Sequence, residues 1–465
     1  MIRIVPHCLF VCLTFISVAQ AQFFPGPGNN NNFPGSSGIL INAEGVIELR
    51  QVSPATGAAW KKQAERFAGE NLPPEIVVTT PQRVLSLKNL ATAIQDRVEK
   101  QQPLPLEITF LAGLHRIDTI AFDVDAKDIY LIGPADAFAP DATGRMIARS
   151  AGRPVLRLDD LVTVLRAGDE QSRSGIGCSI DPTSDNMSRL QEFLRLNSTP
   201  ATAAQVQLRF RQMANVLGPQ EISIWGVPAN SHFAAALVEA DLRMKRIAMG
   251  MESAGVPGIK SHLSMLKPQG NSLQRWWFVP MYDPLETNPE RTVFHLKGQR
   301  AKLLAQEEFT DARGNRSDSA LTRQSTEKFA QLFTENFQAL ANRSPSFGEL
   351  QNLYDIAVSV ALIKQEAPRH QLSDVLTVYL NEERLTPATY AIPRTVPSSS
   401  TFRSTGTGVM LGLVGGVTID TGSVLRSSPS TPTTSGEAPA SETLTIQNIR
   451  DQVRPEQFFS APGVQ

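Results

Sequence analysis

The chain has 465 residues, with 44 basic against 45 acidic side chains and a hydrophobic share of 41%. Charge this evenly balanced gives no electrostatic reason to bind nucleic acid or an anionic membrane, so neither is expected as a partner. The apolar content suffices for sizeable cores, and the length points to two or three domains at about 150 residues each.

Met1 to Ala21 reads as a secretory signal peptide. Arg3 supplies the positive start, Leu9 to Val18 the apolar segment, and Ala19, Gln20 and Ala21 the A-x-A cleavage signature. No later segment reaches about 18 consecutive apolar residues, so no transmembrane segment is expected. The expectation is an exported chain, periplasmic or extracellular, cleaved near Ala21 rather than held by an uncleaved anchor. Cys8 and Cys12 leave with the signal, and Cys178 then has no disulfide partner. It reads as a small buried apolar residue rather than a reactive thiol.

Gln22 to Ser37, rich in Gly, Pro and Asn, reads as a flexible linker. Order begins at Gly38. The segment GILINAEGVI (Gly38 to Ile47) sets two apolar runs around a Glu44-Gly45 turn, the pattern of a β-hairpin. GVTIDTGSVL (Gly416 to Leu425) repeats it, with Ile41 matching Ile419 and Val46 matching Val424. The expectation is that two similar hairpins lie together and close the fold.

Ala58 to Ala68 and Leu87 to Lys100 read as helices. Strands are expected at Leu106 to Ala112, Ile117 to Val124 and Asp128 to Gly133, with Asp125, Ala126 and Lys127 as the turn of the last pair. Asp123, Asp125 and Asp128 lack the glycine and distal glutamate of a calcium loop, which favours the turn reading. Pro154 to Gly168 looks like a strand entering a helix. Further helices follow at Ser184 to Leu196 and Ala201 to Leu217. In Glu221 to Gly250, Ile222, Ile224 and Val227 make a short buried strand that ends at Gly226 and Pro228. A long helix begins there, capped by Asn230 or Ser231, with Phe233, Leu237, Ala240 and Met244 as its core face.

Several motifs in this order carry a resemblance: GPADAF (Gly133 to Phe138), GRPVLRLDDLVTVLRAG (Gly152 to Gly168), CSIDPT (Cys178 to Thr183), VEADLRMKRIAMG (Val238 to Gly250) and RWWFVPMYDPL (Arg275 to Leu285). Together they resemble a family of exported planctomycete proteins known as a domain of unknown function. The resemblance spans most of the mature chain and implies an exported protein. It implies no activity and no catalytic residues.

Strands are expected at Thr292 to Leu296 and Ala301 to Phe309, and a polar turn at Asp311 to Ser319. Two helices, Ser325 to Ala341 and Phe347 to Glu366, would pack as an antiparallel pair. The fold class is therefore α+β. A mixed part spans residues 38–182, a helix-rich part 183–393, a linker 394–407, the returning hairpin 408–426 and a disordered tail 427–465 with one short helix at Glu442 to Val453.

Two groups of side chains are candidates for function. Glu239 with Arg243 and Asp241 with Lys245 are spaced i to i+4 with the acid first, the favourable order for helix ion pairs. With His232 they make weak catalytic candidates against the plainer reading of a solvated or interface face. Asp241 follows Glu239 by two residues and points elsewhere, which tells against paired carboxylates held about 5 to 10 Å apart across a cleft. The second group is Arg275, Trp276, Trp277 and Tyr282, where strand alternation sets one indole inward and one outward. The outward ring would make a stacking platform for a sugar or peptide. The plainer reading buries both rings.

His115, His232, His262, His295 and His370 form no H-x-x-x-H pair, so no metal is expected. The glycine-rich Thr405 to Val417 lacks the Lys-Ser/Thr of a P-loop, and no cofactor is expected. The preferred function is a non-enzymatic cell-envelope binding or structural-interaction protein with a glycan or protein partner. The alternative is a hydrolase acting on envelope glycans or peptides.

Overall fold

The computed structural model describes residues 39–41, 47–49, 58–168, 175–199, 203–266, 273–310, 316–318, 322–391, 393–402, 409–411, 414–426 and 445–460. Helices and strands are mixed along the described residues, an α+β arrangement. The strands are β1 (Ile39–Ile41), β2 (Ile47–Leu49), β3 (Thr80–Ser86), β4 (Thr119–Asp123), β5 (Asp128–Ala135), β6 (Phe138–Pro140), β7 (Met146–Ala148), β8 (Ile176–Asp181), β9 (Gln220–Trp225), β10 (Leu273–Met281), β11 (Glu286–Thr287), β12 (Val293–His295), β13 (Arg300–Thr310), β14 (Arg316–Asp318), β15 (Thr395–Val396), β16 (Ser400–Phe402), β17 (Val409–Leu411) and β18 (Val414–Ile419). The longer helices and two short late ones are α1 (Ala58–Asn71), α2 (Leu87–Glu99), α3 (Leu158–Arg166), α4 (Ser184–Leu196), α5 (Ala203–Leu217), α6 (His232–Ala248), α7 (Gln324–Glu335), α8 (Phe337–Arg343), α9 (Pro345–Arg369), α10 (Thr421–Arg426) and α11 (Ile446–Arg450).

Two sheets organise the described residues. The larger has the strand order β14-β13-β10-β18-β8-β9-β15, and the smaller β11-β12-β4-β5-β3. All neighbours in the larger sheet run antiparallel except β10 and β18, which are parallel. The smaller sheet takes β3, β4 and β5 from early in the chain and β11 and β12 from beyond residue 285, which ties the two parts of the chain together.

Between the sheets runs α9. Nearly every side chain from Ser346 to Ile363 is buried, so the helix is enclosed on all sides rather than amphipathic. Pro345 fits its first turn, where a missing N–H costs nothing. The helix packs on α3, α6 and α8 and touches both β13 and β4. Alternation in β10 sends Gln274, Trp276 and Phe278 to this interior and leaves Arg275, Trp277 and Val279 half-buried on the opposite face. Phe278 meets Phe333, Phe337 and Phe347 with ring centroids 5.7 to 6.1 Å apart.

The unit from β9 to α6 forms as the residues require. Gly226 turns the chain at a φ of +80°, where a Cβ would press on the backbone of Gly175 and Ile176. Ser231 then caps α6 by accepting from the Ala234 amide at 3.2 Å.

The structure corrects several expectations. Leu106 to Ala112 is not a strand: Pro105 opens a helical turn at Leu106–Thr109, and positive φ values at Leu111, Ala112 and Gly113 follow. The single helix expected over Ser325 to Ala341 breaks at Asn336, whose side chain donates to the Leu332 carbonyl. GVTIDTGSVL is not a second hairpin but the end of β18 followed by α10, because the Asp420 carboxylate accepts from the Ser423 amide at 3.0 Å and starts a helical turn. β18 pairs with β10 and β8, whereas β1 and β2 form an antiparallel ribbon of their own. The Glu44-Gly45 turn, like Met1 to Ser37, lies outside the described residues.

The segment expected as a linker contributes β15 and β16. Residues 445–460, expected within the tail, dock on the smaller sheet. Arg450 pairs with Asp123 at 2.5 Å, and Ser460 exchanges hydrogen bonds with the Val84 backbone at 2.8 and 3.0 Å. Asp128 accepts from Ser86, Lys88 and Ile129, and Asp123 accepts from the Ala126 amide and from Arg450, so these two aspartates hold the hairpin in place.

Candidate functional site

Helix α6 projects His232 and Glu239 two turns apart on one side, with Arg243 a further turn on. Facing them, α3 supplies Asp160, α9 supplies Ser346 and Glu349, and the β6–β7 turn supplies Arg145. Asp141 holds that turn by accepting from the amides of Thr143 and Arg145 at 2.7 and 3.0 Å. The charges alternate in one chain. His232 Nδ1 lies 2.9 Å from Asp160, and its Nε2 lies 3.5 Å from Glu349. Arg145 donates to Glu349 at 2.9 Å and also to Glu239. Glu239 further accepts from Arg243 at 3.1 Å and from the Ser346 hydroxyl at 2.7 Å, and Arg243 pairs onward with Glu252.

Glu239 is 0% exposed and His232 and Asp160 each 2%, so this part of the chain of charges is buried, and it reaches the surface through Arg243 and Glu252. Burial opposes the imidazolium most strongly and Arg157 adds to that, but the Asp160 charge together with the hydrogen bonds to Asp160 and Glu349 outweighs them, and His232 is raised to about 9. Burial likewise opposes ionised Glu239, and the guanidinium groups of Arg145 and Arg243 hold it below the usual carboxylate range. The i to i+4 pairs expected on α6 both form, but inside the protein rather than on a solvated face.

His232 makes stability depend on pH. Its folded value near 9 exceeds the unfolded value of about 6.5, so its contribution is complete below about pH 6.5 and is lost as pH rises through 9. The loss is expected to approach about 3 kcal/mol. Thermal melts from pH 6 to 10 should show this decline, and the His232→Asn variant should lack that component of it.

Asp241 points the other way, toward β8 and β18. It lies 2.8 Å from Lys245 Nζ, which donates to the carbonyls of Ile180 and Gly415. Burial pushes its carboxyl up to about 6. The structure therefore brings Glu239 and His232 into one network and leaves Asp241 outside it. Sequence reasoning missed Arg145, Asp160 and Glu349. The available signal was an acid set inside an almost wholly apolar stretch, as Asp160 is in LDDLVTVL.

The aromatic candidates separate as well. Trp276 is 0% exposed and packs on His262 and Phe329. Tyr282 donates to Asp355 at 2.7 Å beneath the Arg300 guanidinium, an interior contact. Arg275 and Trp277 stay half-buried on the outer face, with the guanidinium 5.1 Å over the ring and 3.3 Å from Glu308. A third indole joins them there. The strand register carries the face from Trp277 to Gly416, Ser179 and Ser223, and from Thr418 to Gly177 and Trp225. Trp225 was hidden in what reads as a buried strand, although Glu221, Ser223 and Trp225 alternate with Ile222 and Ile224.

Residues 178–262 match a family model described as "Protein of unknown function (DUF1598)". No curated protein and no solved structure matches the chain. The matched segment starts within β8 and runs through the paired helices α4 and α5, β9 and α6 to His262, beyond the end of α6, and so contains Trp225, His232, Glu239 and Asp241. Arg145, Glu349 and Trp277 come from outside it.

Chemically, the acids of α6 have little freedom, for Glu239 and Asp241 are both 0% exposed. Glu239 and His232 are enclosed and paired. Cys178 is wholly buried, and burial pushes its thiol well above the ordinary range. Among the described residues, no three His, Cys, Asp or Glu side chains converge on a metal position. No helix of the described residues is long and apolar enough to cross a membrane.

Proposed function

We propose that this is an exported cell-envelope protein that acts by binding or structural interaction rather than by catalysis. One observation carries the reading. Glu239 and His232, candidates for hydrolytic chemistry together with the equally buried Asp241, are held in a buried chain of ion pairs, while Arg275 and Trp277 remain half-exposed on a sheet face. A general acid or base must reach substrate directly or through one water, and a fully enclosed carboxylate cannot. The A-x-A signature at Ala19 to Ala21 and the resemblance to exported planctomycete proteins support the compartment.

The test uses the protein purified after export through its own leader and mixed with isolated envelope fractions. It should pellet with the envelope and release neither sugars nor peptides into the supernatant. Pelleting should fall in Trp277→Ala while the variant remains folded at the assay temperature. Released sugars or peptides, abolished in Glu239→Gln, would replace this reading with the hydrolase.

A further inference from the structure

The two half-exposed indoles of the larger sheet stand on one face with small side chains between them. Trp277 shares its rung with Gly416, Ser179 and Ser223, and Trp225 shares the next outward-facing rung with Gly177 and Thr418. At about 4.8 Å per strand and about 3.3 Å per residue, their backbones are roughly 16 Å apart. Gly177 is what lets the Trp225 ring lie over the sheet, since a Cβ there would come within 2.7 Å of Trp225 Cε2. Ser223 is exposed, and Ser179, Thr418 and both indoles are half-buried.

This surface has a definite chemistry. Indole faces suit the flat C–H face of a pyranose ring, and the hydroxyls of Ser179, Ser223 and Thr418 can donate to or accept from sugar hydroxyls. Charge argues for a neutral ligand: Arg275 is answered by Glu308, and the rung beyond Ser179 and Ser223 carries Asp181 and Glu221, which would repel an anion. A peptide adding as a strand needs a free sheet edge, but the edges here are β14 and β15, away from this row. A docking helix needs an apolar groove, and the floor is glycine and hydroxyl.

We propose that a neutral polysaccharide lies across β10, β18, β8 and β9, with one pyranose ring stacked on Trp277 and a later ring of the same strand on Trp225. This rests on the envelope-binding reading and names its ligand. The exported protein would be run by affinity electrophoresis through gels containing hydroxyethyl cellulose, glycol chitin, mannan or amylose, with polygalacturonate as the acidic control. Retardation is expected in at least one neutral gel and not in the acidic one. Trp277→Ala and Trp225→Ala should each weaken it about tenfold, as for loss of one stacked ring. Both variants should remain folded at the assay temperature, which circular dichroism checks, since neither ring is wholly buried.

Retardation that neither variant reduces would overturn the proposal. So would retardation by polygalacturonate alone. Absence of retardation in every neutral gel, with envelope pelleting intact, would overturn the polysaccharide proposal and leave the binding reading standing. Loss of pelleting itself would remove the reading beneath it.

Discussion

Arg145→Met is expected to lower the unfolding free energy by about 3 to 5 kcal/mol, the cost of breaking a buried ion pair by removing one partner. Arg145 stands between Glu239 and Glu349, and both carboxylates are enclosed. Without it, two buried acids face each other and the positive charge between them is gone, with His232 left beside Glu349 and Arg243 beside Glu239. Urea melts of the exported protein would measure the loss. Adding Glu239→Gln to Arg145→Met should recover part of it, because the second change removes one of the stranded charges. A loss below about 1 kcal/mol would mean that water reaches the network and solvates the freed acids.

Phe278→Ala should cost about 3 to 5 kcal/mol by a different route, the cavity left in a packed core. The side chain is 0% exposed and contacts Phe333, Phe337 and Phe347, which come from three helices that cannot all move in to fill the space. Phe278→Leu keeps most of the volume and should cost less than about 1.5 kcal/mol. The same melts decide it: equal losses for the two variants would show that ring contacts, not volume, set the cost.

Where local signals were strong, the sequence could be read. Ser231 caps α6, the Asp125 to Lys127 turn joins β4 to β5, and RWWFV divides into Trp276 inward and Trp277 outward, each following from spacing of a few residues. Leu106 to Ala112 failed because a short apolar run fits a strand or a helical turn equally, and the Pro105 ahead of it decides. GVTIDTGSVL failed because a likeness over ten positions could not show that Asp420 accepts from the Ser423 amide and starts a helical turn there. The ion-pair chain needed tertiary placement: Arg145, Asp160, His232 and Glu349 come from four separate elements, and no spacing in sequence joins them. Trp225 needed Gly177 on the neighbouring strand before its position had a meaning.

The place of β18 bears on when the molecule can finish folding. Val414–Ile419 sits between β10 and β8, so until those residues are made the larger sheet exists as two fragments, each with an open edge of unpaired amides. Closing it joins strands far apart in the chain, the kind of contact that slows folding and leaves intermediates open to aggregation. A chain cut short before residue 414 should therefore clump rather than form a smaller stable protein. Among the described residues β18 is the last strand of the larger sheet, so that sheet can close only once all its other strands have been made.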